Sequence, residues 1–430
     1  MFQLINVTPD ATVNTKIKRA KMDVANKPQH LVKQKTKPVA ELLQVYHDWQ
    51  PEYGLPEGFM GEDDSADQLR WLFSSDNPWF KLGKCTILLS DSDGGGDEDS
   101  DQTLDNKPTE TFRLVIFIHP QVRFFRPNTA YFGFWRTTNN PSLNRQAFLL
   151  ASQWLKHQKQ QQLVGPINFN SFGSYRLQLD DFNGNNFAGE PSNPAYYAQL
   201  LINAKFDSKP CNLYQSQFVK LGGKPPQASI EKLQQLDKSL GNDFLLEQLT
   251  EPVWLEQSVE FHQITEMVFS NNPAYQHIDS NSFFQMVSKP LAKRFCQHCS
   301  LIVRDKKDQL IVAAYLVFPD WSQLTTSNPS AESIRKPLED IDFQRDFKYL
   351  KSPTAIIKTA GTLVQFQGKG LMSWMNLSAS INMHRYYHQL IGALASADNP
   401  SLKLVPRLTN SEKTGNIIRE RQYGLFSKQL

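Results

Sequence analysis

A strand, a glycine loop and a helix follow one another without interruption late in the chain, and this order constrains the fold more than any other feature. Residues 354–361 are apolar and rich in branched side chains, which is typical of a buried strand. Gly368, Lys369 and Gly370 form the loop, and apolar spacing predicts a helix from Leu371. A helix that begins after such a loop presents backbone N–H groups and the positive end of its dipole to an anion. The segment therefore predicts a site for a phosphate group.

Two common nucleotide-binding loops do not match this segment. A P-loop requires Gly-x-x-x-x-Gly-Lys-Ser/Thr, and the chain has neither that spacing nor a hydroxyl residue after Lys369. The dinucleotide fingerprint Gly-x-Gly-x-x-Gly fails because Gly368-x-Gly370 is followed by Ser373. An ordinary strand–loop–helix connection stays open as an alternative at this point.

The loop resembles the acyl-CoA pyrophosphate loop of the GNAT acyltransferases, Gln/Arg-x-x-Gly-x-Gly/Ala. In this chain it reads Gln367-x-x-Gly370-x-Met372. Met372 replaces the small residue that is usual at the last position. The resemblance implies that a coenzyme A diphosphate binds here, in a cradle that Met372 narrows or reshapes.

Further segments extend the resemblance. A strand is predicted at 387–394 and the final strand at 419–426, so the order of elements over 243–430 is similar to that of a complete GNAT domain. Upstream, residues 165–169 (GPINF) and 193–197 (NPAYY) resemble signatures of bacterial GNAT-like proteins with two halves. The implied fold class is α+β, with two tandem GNAT-like domains, each a mixed twisted sheet flanked by helices.

Composition changes suggest the domain boundaries. The first half has no glycine between Trp135 and Leu143, which predicts a degenerate copy without a phosphate loop. The predicted boundaries are a basic N-terminal arm at 1–40, a degenerate GNAT-like domain at 41–210 with a flexible acidic insertion at 90–110, a linker at 211–242, and an acyl-CoA-binding GNAT domain at 243–430.

Charge and hydropathy exclude several classes of protein. Lysine plus arginine is 46 and aspartate plus glutamate is 43, so the net charge of +3 gives no reason to expect a nucleic-acid partner. No run of about 18 apolar residues occurs, so no membrane association is expected. Four cysteines are too few for a disulfide scaffold, and a cytoplasmic location is the default.

The residue pattern offers two metal-binding interpretations, and neither fits well. The acidic run at 91–101 departs from the calcium-loop spacing, so a flexible insertion fits it better. Cys296 and Cys299 have C-x-x-C spacing, but one such pair is only half a zinc site. We therefore expect no metal.

The resemblance also implies which residues bind the cosubstrate. We expect acetyl-CoA or another acyl-CoA, with backbone groups of the 354–361 strand beside the thioester. The implied binding residues are Ile357, Lys358, Thr359, Gln367, Gly368, Lys369, Gly370, Leu371 and Met372.

Candidates for proton transfer are less well defined. His388 is the first base candidate because imidazole titrates near neutrality. Asn399 and Ser401 match the Asn-x-Ser position of the family, although helix N-capping explains them equally. The usual helix tyrosine is missing, and Tyr423 is the nearest substitute as acid. Each of these residues also has an ordinary structural interpretation.

The function implied is transfer of an acyl group from acyl-CoA, or from the pantetheine thioester of an acyl carrier protein, to an amine of a small molecule. A non-catalytic GNAT-like binding module is the alternative, as is a thioester-using hydrolase or decarboxylase.

Overall fold

The structure is a computed structural model, and it describes the chain in two compact units. Unit 1 comprises Met1–Gln178, Pro191–Asn212 and Gly424–Leu430, and unit 2 comprises Leu179–Glu190 and Leu213–Tyr423. The described residues are 2–7, 33–37, 77–90, 112–121, 126–221, 223–325, 338–399, 402 and 417–430. Each unit therefore combines segments that are distant in the sequence.

Unit 1 contains a mixed sheet in the order β2-β1-β3-β4-β5-β6. The strands are β1 (Phe2–Val7), β2 (Lys33–Lys37), β3 (Lys84–Ser90), β4 (Phe112–Ile118), β5 (Thr129–Thr137), β6 (Gln162–Gly165) and the short β7 (Leu177–Gln178). β1–β2 and β5–β6 are parallel pairs, and the others along this path are antiparallel. The end of the last strand of the chain, β14 (Ile417–Gln429), pairs antiparallel with β6.

Helix α1 (Pro141–His157) connects β5 to β6 and covers the sheet of unit 1. Phe148 and Leu155 on its inner face are fully buried. The Phe148 ring meets the rings of Phe112 and Phe132 edge-on, at centroid distances of 5.9 and 5.4 Å. Burial of each such side chain contributes about 2–3 kcal/mol. A second helix, α2 (Tyr197–Asn203), and a 3-10 turn at Pro78–Lys81 complete the helical elements described in this unit.

Unit 2 contains a second mixed sheet, in which β14 lies beside β8 and the order continues β8-β13-β12-β11-β10-β9. Its strands are β8 (Asn212–Lys220), β9 (Phe244–Gln248), β10 (Leu301–Asp305), β11 (Ile311–Pro319), β12 (Thr354–Thr362) and β13 (Gln389–Ser396). β12 and β13 are parallel, whereas β9–β10, β10–β11, β11–β12 and β8–β13 are antiparallel.

Helices flank this second sheet. They are α3 (Gln227–Leu240), α4 (Glu251–Glu256), α5 (Ser258–Phe269), α6 (Ser280–Phe283), α7 (Lys289–Leu291), α8 (Ser322–Thr325), α9 (Phe343–Asp346) and α10 (Leu371–Tyr386), with a π-helical turn at Phe284–Ser288 and 3-10 turns at Leu338–Asp340, Phe347–Tyr349 and Val364–Phe366. α10 joins β12 to β13, as α1 joins β5 to β6. The predicted class, a mixed sheet flanked by helices, is confirmed. In the described part of the chain, no helix combines the length and apolar character needed to cross a bilayer.

Two predicted boundaries differ from the structure. The predicted linker at 211–242 contains β8 and α3. β8 is not predicted because it contains polar residues such as Ser216 and Gln217, which are buried in the structure. α3 begins directly after Pro226. The predicted basic arm contains β1 and β2, which belong to the sheet of unit 1. Residues 91–110 of the acidic insertion lie outside the described residues, and the strands on either side, β3 and β4, pair antiparallel.

Candidate functional site

The parallel strands β12 and β13 pair over only four residues and then separate. Thr354–Ile357 pair with Gln389–Gly392. β12 continues to Thr362, and β13 continues to Ser396, but the pairing between them stops at Ile357 and Gly392 among the described residues. The second half of β12 therefore has no ladder bonds to β13, and this stretch is called the gap.

Two strand irregularities lie where the gap opens. Leu316 pairs with Thr359 and Val317 with Ile357, so Lys358 is an extra residue in β12. A bulge of this kind bends its strand and increases the local twist. The exposed Lys358 therefore marks the point at which β12 departs from a regular ladder.

The second irregularity is in β13. Gly392 pairs with Gln217 and Ala395 with Gln215, so Ala393 and Leu394 together lie opposite Ser216. Leu394 adopts a φ of 56°, which is uncommon for a residue with a branched side chain. The hydroxyl of Ser216 accepts the Leu394 N–H at 3.1 Å and stabilises this conformation.

The glycine loop follows the open end of β12. Gly368 and Gly370 have φ values of 78° and 91°, a region that glycine adopts without steric cost. Gly370 is the N-cap of α10, and no side chain there accepts a hydrogen bond from the first turn. A Cβ at Gly368 would meet no atom within 4 Å, so the loop faces open space. An uncapped helix N-terminus beside open space is suited to an anion.

Polar and aromatic side chains hold the loop in shape. The Gln367 amide donates to the Thr362 carbonyl at 3.2 Å. The Lys369 ammonium lies 4.9 Å from the centre of the Phe366 ring and 5.7 Å from that of Phe244. These contacts keep a positive charge at the loop in a cation–π arrangement.

Helix α3 borders the same loop, although its sequence falls in the predicted linker. The Trp374 indole N–H donates to Asp237 at 2.6 Å, which joins α10 to α3. Leu236 would lie 3.7 Å from a Cβ at Gly370. Contacts with α3 therefore fix the start of α10 beside the loop.

The structure places the predicted cosubstrate residues along one path. Ile357, Lys358 and Thr359 lie where the gap opens, and 367–372 lies after the end of the same strand. This location follows from the continuous strand–loop–helix sequence, and the contacts that these residues make with a ligand stay a prediction.

His388 lies at the other end of the strand pair. It is exposed and directly precedes β13, with its N–H donating to the Pro353 carbonyl. Because Thr354 pairs with Gln389, His388 lies beside the start of β12. The length of β12, about 26 Å at 3.3 Å per residue, separates that edge from the end that leads into the glycine loop. The structure thus does not bring His388 to the loop.

Tyr423 is fully buried, and its hydroxyl donates to the Glu190 carboxylate. Glu190 also forms an ion pair with Arg421 at 2.7 Å, and both of these side chains are shielded from solvent. Burial raises the pKa of Glu190 and of Tyr423. The Tyr423 hydroxyl further contacts Ser216, which holds the Leu394 bulge. Tyr423 is therefore linked to the shape of β13.

Arg421 has a dense set of partners. Its guanidinium contacts Asp181 at 2.9 Å and Asn186 at 2.6 Å in addition to Glu190. The sequence does not single out Glu190, Ser216 and Arg421, because their roles depend on contacts between residues more than 170 positions apart. The signal that the sequence offers is an arginine in the predicted strand 419–426, two residues before Tyr423.

The remaining residues considered from the sequence are Asn399, Ser401 and the two cysteines Cys296 and Cys299. The Asn399 N–H donates to the Ser396 carbonyl at 2.8 Å, and its carbonyl accepts from Leu402. Ser401 lies outside the described residues. Cys296 and Cys299 are buried and adjacent, and their contact together with burial raises the pKa of the Cys299 thiol well above its usual range.

The corresponding region of unit 1 is closed. Only three residue pairs join β5 and β6. Beyond them, the Ile167 N–H donates to the Phe132 carbonyl, and the Phe134 N–H donates to the Asn168 side chain, both at 2.7 Å. The segment after β6 thereby occupies the edge of β5 that would otherwise be free. The GPINF sequence supplies this closure.

The start of α1 is closed as well. The Asn140 side chain accepts the Leu143 N–H at 2.9 Å and caps the helix. The hydroxyls of Tyr196 and Tyr197, from the NPAYY sequence, contact the backbone of Thr137 at the end of β5. Both signatures thus occupy positions where unit 2 is open.

No protein-family model matches the sequence, and no curated protein is similar to it. Several solved structures are similar at low identity. One is a GCN5-related N-acetyltransferase from Sphaerobacter thermophilus, at 9% identity and a TM-score of 0.40, with 85% of each chain covered. Another is a tandem GNAT protein from the clavulanic acid biosynthesis pathway, at 9% identity and a TM-score of 0.41, with 91% of this chain and 94% of that one covered.

A third is a GCN5-related glucosamine N-acetyltransferase region of a fungal multi-domain GH3 β-N-acetylglucosaminidase. It has 12% identity and a TM-score of 0.42, and the match covers 90% of this chain and 36% of that one. At these identities and TM-scores the likenesses carry no conclusion about the function of this chain.

Proposed function

We propose that unit 2 binds an acyl-CoA, or the pantetheine thioester of an acyl carrier protein, and transfers the acyl group to an amine of a small molecule. The observation that supports this most directly is the gap between β12 and β13, because it ends at the uncapped N-terminus of α10. The gap borders β12 and the loop follows β12 in the chain. This order suits an extended ligand with an anionic end.

The loop accounts for the anionic end. Backbone N–H groups at the start of α10 and the helix dipole stabilise a diphosphate, and Lys369 adds a positive charge. Gly368 lets the diphosphate approach the backbone, since a Cβ there would project into open space. The pantetheine arm then lies in the gap, where strand backbone groups hydrogen-bond to its amides as to an added strand.

Transfer proceeds by direct attack of the amine. The amine nitrogen forms a bond to the thioester carbonyl carbon and gives up a proton. The C–S bond breaks, and the sulfur leaves with the electron pair and takes up a proton in turn. Backbone N–H groups of β12 between Lys358 and Gly361 stabilise the negative charge on the carbonyl oxygen. Glu190 and Tyr423 act on β13 and hold the bulge at Leu394 through Ser216.

Binding of acyl-CoA to the Gly370→Glu variant tests the proposal. The substitution forces a side chain into a φ of 91° and places a carboxylate at the helix N-terminus. We expect calorimetry to show a loss of affinity of about 100-fold or more. Gly223→Glu is the matched control, because a Cβ there meets nothing within 4 Å. Equal affinity in the two variants would remove the loop from the site.

The donor and the acceptor require separate measurements. Titration with acetyl-CoA, longer acyl-CoAs and a pantetheinylated carrier protein ranks the donors. Mass spectrometry of reactions with small amines then identifies any acylated product. No binding of any thioester would contradict the assignment of a thioester site.

A thioester-binding module without transfer is a second candidate. It is favoured by the location of His388 at the far edge of the strand pair and by the engagement of Tyr423 with Glu190. Thioester binding without turnover supports this candidate. Release of free acid or of carbon dioxide would instead indicate a hydrolase or a decarboxylase.

A further inference from the structure

A cluster of metal-ligating side chains lies in unit 2 on helix α5, whose Val268 packs beside Gly361 of β12. His262 and Glu266 are four residues apart on α5, so they project from the same side of that helix. His277 reaches the same point from the segment between α5 and α6. One donor atom from each of the three residues lies within 4.8 Å of the other two.

Distances within the cluster are close to those of a coordination shell. The Nε2 atom of His262 lies 3.5 Å from Oε1 of Glu266. Tetrahedral bonds of about 2.0–2.1 Å to nitrogen and oxygen place neighbouring ligand atoms roughly 3.3 Å apart. The His277 Nδ1 atom is 2.6 Å from Oε2 of Glu266, which is a hydrogen-bond distance. His277 is 70% exposed, so its ring has room to withdraw by the remaining fraction of an ångström.

Neighbouring groups hold two of the three donors in place. The Tyr275 hydroxyl donates to Oε1 of Glu266, and the His262 ring packs 5.2 Å from the ring of Phe283. The Nε2–H of His262 donates to the Ile278 carbonyl at 2.7 Å, and this hydrogen bond is lost when Nε2 binds an ion. Partners of this kind orient metal ligands and commonly alter affinity 10–100-fold.

We propose that His262, Glu266 and His277 bind a divalent transition-metal ion, with Zn²⁺ as the first choice. Two neutral imidazoles and one carboxylate form a donor set that suits zinc and leaves a position open to solvent. Binding requires His262 to be protonated on Nδ1 rather than Nε2, and it breaks the hydrogen bond from His277 to Glu266. The bound ion would join α5 to the segment that follows it.

The expectation that the chain has no metal site rests on motifs alone. His-x-x-x-Glu followed by a histidine eleven residues later matches no familiar zinc motif. The turn after α5 brings the third residue back, and only the structure shows that.

Titration of the chelator-treated, full-length protein with Zn²⁺ tests the proposal, using calorimetry or competition with a chromophoric chelator. We expect one equivalent to bind, with affinity reduced at least about tenfold in His277→Ala and in Glu266→Gln. Tyr275→Phe keeps all three donors and should weaken binding less. Substitution with Co²⁺ gives visible absorption bands that report the coordination of the ion.

His157→Ala is the matched control, because His157 is an exposed histidine on α1 in unit 1. Circular dichroism establishes that each variant is folded before titration. Absence of zinc binding by the folded wild-type protein would overturn the proposal. Zinc binding equally affected by His157→Ala and His277→Ala would overturn it too, because it would indicate non-specific uptake by histidines.

Discussion

Each of the two units contains a parallel strand pair joined by a helix. The edge of the first strand is closed in unit 1 and open in unit 2. In unit 1, β5, α1 and β6 form a parallel pair with its connecting helix, and in unit 2, β12, α10 and β13 do the same. The parallel ladder stops after three or four residue pairs in both. The two units differ beyond that point. Ile167 and Asn168 bond to the edge of β5, whereas β12 and β13 simply separate after Ile357 in the part of the chain that the structure describes.

The helix N-termini differ in the same sense. A side chain, that of Asn140, caps α1, whereas a glycine in a left-handed conformation precedes α10. In unit 1 the edge of β5 and the start of α1 are therefore hydrogen-bonded from within the chain. These hydrogen bonds close the edge of β5 without adding or removing a strand, so β5, α1 and β6 follow the same order as β12, α10 and β13.

The largest effect is expected from Arg421→Met in unit 2. The substitution leaves Glu190 buried without its cation, which costs about 3–5 kcal/mol of unfolding free energy. Urea unfolding measures this. Arg419→Met is the control on the same strand, because Arg419 contacts the same Asp181 but is 26% exposed and should lose less than about 1 kcal/mol. Equal losses would mean that the buried pair does not support the open unit.

A pair of glycine substitutions compares the two units directly. A Cβ at Gly133 would lie 2.4 Å from the Ile167 carbonyl oxygen and 2.5 Å from Asn168, so Gly133→Ala should cost about 3 kcal/mol. Gly368→Ala has free space and only an unfavourable φ, so it should cost about 1 kcal/mol. Thermal unfolding of both variants measures the difference. A larger loss of stability in Gly368→Ala than in Gly133→Ala would contradict the description of unit 1 as closed and unit 2 as open.

The stability of unit 1 should depend on pH through His119. Burial lowers the pKa of His119 to about 4, so the folded protein keeps this ring neutral. As the pH falls from about 6.5 to 4, the unfolded chain takes up a proton that the folded chain refuses, and stability decreases by about 2 kcal/mol. His119→Gln should remove this part of the pH dependence in urea unfolding. The exposed His157→Gln should leave it in place, and an unchanged profile in His119→Gln would refute the assignment.

The smallest effect is expected at the cap of α1. Asn140→Ala removes the acceptor for the Leu143 N–H and should cost about 1 kcal/mol. Ser142→Ala, at an exposed position in the first turn, is the control and should change the melting temperature little. A loss as small as that of the control would show that the cap contributes nothing to closing unit 1.

The sequence predicts local features well where a single residue type is required. The loop at 367–372 follows from its glycines, and the hairpin of β10 and β11 follows from two apolar runs around a polar turn. Positions set by distant contacts are not predictable in this way. Ser216 falls in the predicted linker, but it is buried in β8 and its hydroxyl accepts the Leu394 N–H from β13.

His388 illustrates a different limit. Periodicity places it in or next to a strand, but only the direction of that strand says which edge of the sheet it occupies. A parallel strand that follows a connecting helix must begin at the opposite edge from the loop that begins the helix. Glu190 and Arg421 show the same dependence on topology, since they pair across 231 positions of the chain.

The bulge in β13 has a consequence for how this strand can change. Two residues, Ala393 and Leu394, occupy the space opposite one residue of β8, so the departure of β13 from its ladder is set by the number of residues in the strand. Substitutions there change side chains and keep that count. Deletion of one residue would restore a continuous ladder with β8, in which Ala395 still pairs with Gln215 and the later side chains of β13 keep their faces. The bulge is thus a property of chain length, because a single deletion removes it and a substitution does not.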